Sequence, residues 1–330
     1  MAYNITEVSA LVKANYGKAI GDNIYTSDPL LAFLKENDGI AEVDTSAPIS
    51  MPIKAKAYNS EFYVPGETKE YEASDTMKSA IYQPVFAQSD IVIPIPTWNS
   101  WKSKEAVVNG VDEAIKMAIN DLKQVVSTGI YTDTENGFVS LEDLIKASGT
   151  VGGIDPTTDT YWKAEVDVNT GYTDFALMSK VTYTSGEDVV ETNTTVLEQK
   201  LNNLINKTSN GSDRVKIIIA GSEIFNLLLY ASNLKGIVRN NDYLARLGFV
   251  NFEFNGIPVV LSNLVGARVV YGLNTAYTKL KVIKDFNFSV SDFRVSETLA
   301  NTYIANIDFG GALITNNRRM NFRLDATPAG

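Results

Sequence analysis

Residues 151–163 read VGGIDPTTDTYWK. Gly152 and Gly153 lead into Asp155 and Pro156, a run of hydroxyls follows, and the adjacent rings Tyr161 and Trp162 end beside Lys163. Glycine and proline set the backbone of a tight turn, while two large rings demand burial. The pattern predicts a turn opening into an anchored segment that locks two parts of a fold together. Alone, the same residues would read as a surface turn whose rings pack on the nearest core, so the flanking sequence decides.

Upstream, Asn136-Gly137 marks a turn and Leu141 to Ala147 a short helix. Before them Val108, Val111, Ile115, Ala118, Leu122 and Val125 recur at spacings of three and four, with Lys104, Asp112, Lys116 and Lys123 elsewhere. This predicts one long helix over Ser100 to Ser127, stopped by Gly129 and extending roughly 40 Å. Farther upstream the period changes to two. Ile53, Ala55 and Ala57 alternate with Lys54, Lys56 and Tyr58, and Ile81, Val85, Ala87, Ile91, Ile93 and Ile95 share one face. The prediction is a long hairpin reaching on the order of 45 Å, with a polar tip from Gly66 to Lys78. A lone two-stranded arm is only marginally stable, so this one is expected to rest on another subunit. Pro84, Pro94 and Pro96 make its second strand an edge or irregular strand. Residues 1–49 read as an arm, in which Thr6 caps one short helix and Asp28-Pro29 opens another that Gly39 stops. Neither helix is long enough to be stable alone in water, so each needs a surface to lie on, either its own body or a neighbour's.

Downstream, residues 165–192 alternate polar and apolar and read as strands or an inserted loop. Thr194 to Asn206 is helical, Val215 to Ala220 is a short apolar strand, and Ser222 to Ala231 is a helix. Strands at Gly256 to Ser262 and Arg268 to Leu273 complete an alternating α/β block. From Tyr277 the chain is mostly strand, predicted as a meander that returns to the long helix.

Composition removes whole classes of chemistry. The 330 residues contain no histidine and no cysteine, which excludes Ser-His-Asp and Cys-His catalysis, disulfides and thiolate metal sites. A net charge of -10 argues against a protein that grips nucleic acid, which needs a basic face. No apolar run approaches the ~18 residues of a membrane helix, and the first residues carry no export signal. The strand–Gly221–helix passage could hold phosphate, but it lacks the further glycines of a dinucleotide site and the GK[ST] of a P-loop. Asp155 with Asp159, and Glu187 with Asp188, are the remaining acid–base candidates, and any acidic chain supplies such pairs.

With arm, hairpin, long helix, α/β block and meander in order, the opening stretch resembles the GGIDRSTYxxWR-type signature of tailed-bacteriophage major capsid proteins with the Hong Kong ninety-seven capsid fold. Two further segments are similar to that family. One runs from Gly248-Phe249 through Phe254-Asn255-Gly256-Ile257-Pro258-Val259-Val260 to Tyr271-Gly272-Leu273-Asn274-Thr275-Ala276-Tyr277-Thr278-Lys279-Leu280, and the other is Asn316-Asn317-Arg318-Arg319. Pro156 departs from the signature, where a basic residue is usual, and Tyr161-Trp162 is a compressed aromatic pair. The resemblance covers residues 141–324 by motif and the earlier chain by architecture.

The resemblance implies an α+β capsid fold. Residues 1–49 would be the N-arm, 50–97 the hairpin or E-loop, and 98–147 the spine helix opening the P-domain. Residues 148–276 would be an α/β A-domain, with 165–192 as an insertion, and 277–330 the strands returning to the P-domain. Gly152, Gly153, Asp155, Tyr161, Trp162, Lys163, Gly256, Pro258, Asn274, Arg318 and Arg319 carry the motifs. Some relatives crosslink a hairpin lysine to a neighbour's asparagine. Lys54, Lys56, Lys69 and Lys78 are the lysines available here, although no motif identifies that chemistry. The implied function is a non-enzymatic capsid subunit without cofactor or metal, forming the hexamers and pentamers of an icosahedral virion shell around DNA that it does not read. Implied partners are scaffold, portal and decoration proteins, with assembly in the bacterial cytoplasm and no membrane. No N-terminal stretch is long enough to be a fused scaffold, so the resemblance implies a separate scaffold or none. Rival readings are an encapsulin-like compartment of the same fold, an acidic carboxylate hydrolase, and a phage tail or adhesion protein.

Overall fold

The computed structural model describes residue 7 and residues 25–55, 62, 64–67, 76–101, 103–168, 174–185, 188–235 and 240–326. In chain order, helix α1 (Pro29–Glu36) leads to strands β1 (Ile40–Val43), β2 (Ile49–Lys54), β3 (Met77–Tyr82) and β4 (Val85–Pro94). Helices α2 (Ile95–Ser100), α3 (Lys104–Tyr131) and α4 (Leu141–Leu144) follow. A 3-10 turn (Thr160–Trp162) precedes β5 (Glu165–Val168), α5 (Asp174–Met178), β6 (Lys180–Ser185) and β7 (Asp188–Thr195). Next come α6 (Val196–Lys207), β8 (Ile217–Ala220), α7 (Ser222–Leu234) and α8 (Asp242–Arg246). The remainder is strand: β9 (Asn251–Phe254), β10 (Ile257–Leu261), β11 (Val269–Leu273), β12 (Thr278–Val290), β13 (Arg294–Val295), β14 (Thr302–Thr315) and, after a second 3-10 turn (Arg318–Met320), β15 (Phe322–Asp325). Two compact units result, one of residues 1–47, 84–140 and 279–313, the other of residues 48–83, 141–278 and 314–330.

The first unit is built on α3, 28 residues long, whose N-cap Ser103 accepts a hydrogen bond from the Ala106 amide at 3.1 Å. Val107, Val111, Ile115, Ala118, Leu122, Val126 and Ile130 bury one face. The expected stripe is therefore offset at both ends, because Val107 replaces the half-buried Val108 and Val125 points outward. Nor does Gly129 stop the helix, which runs on to Tyr131. A Cβ at Gly129 would lie 3.2 Å from the Phe138 ring, so the glycine admits that ring against the helix. Strand β14 pairs antiparallel with β4 along Thr302–Gly311, while β1 runs parallel to β12. Between them lies a chain of rings: Tyr25 to Phe288 at 5.6 Å, Phe288 to Phe309 at 4.6 Å, and Phe309 to Phe138 at 5.8 Å.

Of the two surfaces the arm could lie on, residues 25–43 take their own body: Leu30, Leu31 and Leu34 are fully buried in this unit, and Ile40 is registered with Leu280. The physical reason is that the first six residues of α1 are apolar on every face, so they must be enclosed. The helix expected at Thr6 lies outside the described residues. Strand β4, read as the second half of the hairpin, instead pairs with β14. Pro84 interrupts the run after Gln83, and the alternation beyond it is satisfied by a different sheet. The hairpin proper is β2 with β3, Ile49 opposite Tyr82 and Lys54 opposite Met77.

The second unit holds a six-stranded mixed sheet in the order β5-β15-β11-β8-β10-β9. All four residues of β8 are fully buried, which explains its unbroken apolar run. Leu197, Leu201 and Leu204 from α6 and Ile224, Phe225 and Leu228 from α7 pack with Ile218, Val259 and Phe322 into one core. Thr195 and Glu198 form a capping box for α6, and the buried Glu198 carboxylate also takes Lys235 at 2.7 Å. The described parts of residues 165–192 are strands and one short helix, α5: β5 joins the sheet edge and β6 pairs with β7. The C-terminal meander divides. Strands β12 to β14 extend the first unit's sheet, but β15 inserts between β5 and β11.

In the first unit, Asp28 is a buried carboxyl. It caps α1 through the Leu30 amide at 2.9 Å and accepts from the Tyr131 hydroxyl at 2.9 Å. Burial pushes its carboxyl from 3.8 up to about 6, against those hydrogen bonds. Because the folded value exceeds the unfolded one, its contribution is full below pH ~4 and is lost as pH rises through ~6. We predict that Asp28→Asn, which keeps the cap, flattens this dependence and gains about 1–3 kcal/mol at pH 8. Denaturant melts of both proteins between pH 4 and 8 check it; parallel curves would contradict it.

Candidate functional site

The VGGIDP turn forms the root of the β2–β3 hairpin, within the second unit. Val151 and Ile154 exchange backbone hydrogen bonds at 3.1 and 3.2 Å, leaving Gly152 and Gly153 as the two central residues, with φ of 61° and 79°. Positive φ at both centres is the two-residue turn that glycine serves best. Gly152 is needed twice over, since a Cβ there would stand 2.7 Å from the Ala80 Cβ of β3. That close approach lets the Gly152 carbonyl accept the Ile81 amide at 2.9 Å, stapling the turn to the hairpin.

The rest of the motif closes on itself. Asp155 accepts the Thr157 amide at 2.9 Å, which holds its carboxyl below the usual range. The following 3-10 turn swings Trp162 inward, fully buried, where its indole N–H donates to the Val151 carbonyl at 3.0 Å. Asp159 receives the Lys78 ammonium on both oxygens, at 2.8 and 3.0 Å, a pairing that raises the Lys78 value. Tyr161 is half-buried. Desolvation pushes its phenol up, Asp159 adds to that, and Lys78 opposes it. Lys163 is exposed.

Arg318 ties these pieces together from the other end of the chain. Its side chain is fully buried: Nε donates to the Leu144 carbonyl at 2.7 Å, Nη2 to Lys146 at 2.8 Å, and Nη1 to Trp162 at 3.2 Å. The guanidinium carbon lies 5.8 Å from the Trp162 ring centroid. Burial lowers the Arg318 value to about 10, so it stays charged at neutral pH. Beside it the Tyr82 hydroxyl of β3 donates to the Thr315 carbonyl at 2.8 Å, with burial raising that phenol to about 12. Arg319, its twin in sequence, is exposed.

A second knot surrounds Asn274, also fully buried. Its amide N–H donates to Asn321 Oδ1 at 2.9 Å and its Nδ2 to Asp213 Oδ1 at 2.7 Å, while Tyr277 donates its hydroxyl to the other Asp213 oxygen. The Tyr277 and Asn274 bonds hold the Asp213 carboxyl low. Gly256, at φ 73°, follows Asn255, at φ 53°, in the turn from β9 to β10, and Pro258 stands opposite Glu253, ahead of the residues paired with β8. Of the hairpin lysines, Lys54 ends β2, Lys78 is in the ion pair above, and Lys56 and Lys69 lie outside the described residues. The structure thus gathers Gly152, Trp162 and Arg318 at one place and leaves Lys163 and Arg319 in solvent. Sequence reasoning missed Ala80 and Tyr82; an alanine and a tyrosine within a strand give no signal of the turn and the carbonyl they meet. Asp155 and Asp159, considered as an acid–base pair, are spent on a turn and on Lys78.

No protein-family model matches the chain, and no curated protein matches it. Among solved structures it is similar to a chain of the cyanophage A-1(L) capsid asymmetric unit, with a TM-score of 0.67 and 16% identity over 92% of this chain and 93% of that one. The capsid of the native GTA particle follows at TM-score 0.56 and 8% identity, covering 90% of each chain. The holo-SrpI encapsulin complex from Synechococcus elongatus gives 0.54 and 9% identity, over 91% of this chain and 88% of that one. The chain has the α+β Hong Kong ninety-seven-type capsid fold. At such identities it is the fold that is shared.

Two substitutions probe the root. Gly152→Ala, strained at its φ and in contact with Ala80, is expected to cost about 1–3 kcal/mol in denaturant melts. Arg318→Met, which leaves three buried carbonyls without donors, should cost about 3 kcal/mol or more. Arg318→Lys should recover only part, since one ammonium does not span the fork. Unchanged melts would overturn this reading of the site.

Proposed function

We propose that the chain is the major capsid subunit of a tailed bacteriophage or prophage, assembling as hexamers and pentamers into an icosahedral virion shell around double-stranded DNA. The observation that carries this reading is the fold likeness to a phage capsid chain over 92% of the sequence. The subunit's work is mechanical. The hairpin carries outward-facing apolar groups, with Phe62 fully exposed and Val64, Met77 and Ile81 more than half exposed, so its stability is completed by burial on a neighbour. The root described above fixes the hairpin's base, so apolar side chains arrive at that neighbour from a defined origin. Repetition around closed rings makes individually weak contacts cooperative. The net charge of -10 leaves enclosed DNA unbound. Scaffold, portal and decoration proteins would be partners, assembly would take place in the host cytoplasm, and no catalytic step is required. Among the described residues no helix is long and apolar enough to cross a membrane.

The likeness to an encapsulin chain favours a second reading, a cargo-holding compartment. Expression of the chain, followed by size-exclusion chromatography and electron microscopy, should give closed polyhedral particles or five- and six-membered rings. Phage-derived particles should contain DNA; a cargo protein in place of nucleic acid would select the compartment. A monomer under all conditions, with candidate scaffold included, would contradict both.

A further inference from the structure

Strand β4 is ten residues long and, among the described strands, pairs with β14 alone. Its prolines stand outside or at the end of the run, Pro84 before it and Pro94 closing it, so nothing within it blocks a further ladder. An edge of this length with Phe86 and Val92 about half exposed is a surface that proteins ordinarily cover. Beside its first residues lies a groove of about 670 Å³, between Val85–Gln88, the C-terminal half of α3 and the Asn136-Gly137 turn. Its floor is Phe138, seated against Gly129, and Val125 lines it with 59% of its surface exposed. The charge in its lining has one sign. Asp121 and Glu135 line it, no lysine or arginine does, and neither acid has a cationic partner among the described residues. An apolar floor, an open strand edge and unneutralised carboxylates specify an extended ligand that is apolar on one face and basic on the other.

We propose that this groove is a strand-addition site for a basic, extended peptide of a separate protein, which pairs with the start of β4, seats an apolar side chain against Val125 and Phe138, and sets Lys or Arg against Asp121 and Glu135. The site lies wholly within the first unit and does not depend on shell formation. The probe is a short fluorescent peptide alternating valine with lysine, titrated by anisotropy into the full chain at low salt. Saturable binding is expected, accompanied by slowed hydrogen exchange at residues 85–88. The doubly substituted D121K/E135K chain, altered only at exposed positions, should bind about tenfold or more weakly. The same peptide with glutamate for lysine, or with alternate backbone amides methylated, should fail to bind the unaltered chain, a test that holds even if the variant does not fold. Absence of binding, equal binding by the variant, or tolerance of methylation would overturn the proposal. So would an oligomer of the chain alone that D121K/E135K dissociates, since the occupant would then be a second copy.

Discussion

Arg318, a buried cation with no carboxylate partner among the described residues, governs the hairpin root of the second unit. Desolvating a guanidinium is costly, and Arg318 is tolerable only because three carbonyls, from Leu144, Lys146 and Trp162, converge on its fork. That requirement runs in both directions. The carbonyls come from either side of the VGGIDP turn, so the turn is held closed by a residue more than 150 positions away in sequence. Trp162 then ties back to Val151, and Gly152 reaches the hairpin through Ile81. Tyr82 adds a second tie from β3 to the strand that delivers Arg318. The hairpin root is thus fixed through β3 by the Ile81–Gly152 backbone hydrogen bond and the Tyr82 hydroxyl on the Thr315 carbonyl, with the Lys78–Asp159 pair as an accessory.

On the proposed capsid reading, this arrangement separates two demands on the subunit. The root is buried and hydrogen-bonded, while the hairpin beyond it presents Phe62, Val64 and Met77 to solvent. Rigid support under an unsatisfied apolar surface favours association over collapse, because the groups that need burial are held by a fixed base. In the first unit, the ring chain from Tyr25 to Phe138 and the buried cap at Asp28 do the corresponding work around α3. There the acidic group is held against its solvation preference, so stability carries a pH dependence that the second unit's Arg318, charged throughout the neutral range, does not add.

Local signals were legible where one residue type has one geometric use. Gly152-Gly153 announced a turn, Asn136-Gly137 another, Asp28-Pro29 a helix start, and the four apolar residues of β8 a doubly covered strand. What could not be read was partner choice. Nothing before Pro84 tells β4 to leave the hairpin for β14, because both readings satisfy the same alternation. The strand β15 likewise carries the pattern of the meander yet joins the other sheet. Arg318 and Arg319 are identical in sequence, and only the carbonyls waiting at Leu144 and Trp162 distinguish a keystone from a surface charge. Gly129 looked like a helix stop and proved to be room for Phe138, a distinction that depends on a ring nine residues later.

The central claim is that a hairpin fixed at its root by Gly152 and Arg318 reaches a neighbouring subunit in a closed shell. A side-chain-resolved electron cryomicroscopy map of particles assembled from this chain tests it most directly. The account predicts the Arg318 fork and the Gly152–Ile81 staple in every copy, with the apolar residues beyond β2 and β3 buried against an adjacent subunit. Hairpins folded back on their own subunit, or a root opened on assembly with Arg318 in solvent, would contradict it.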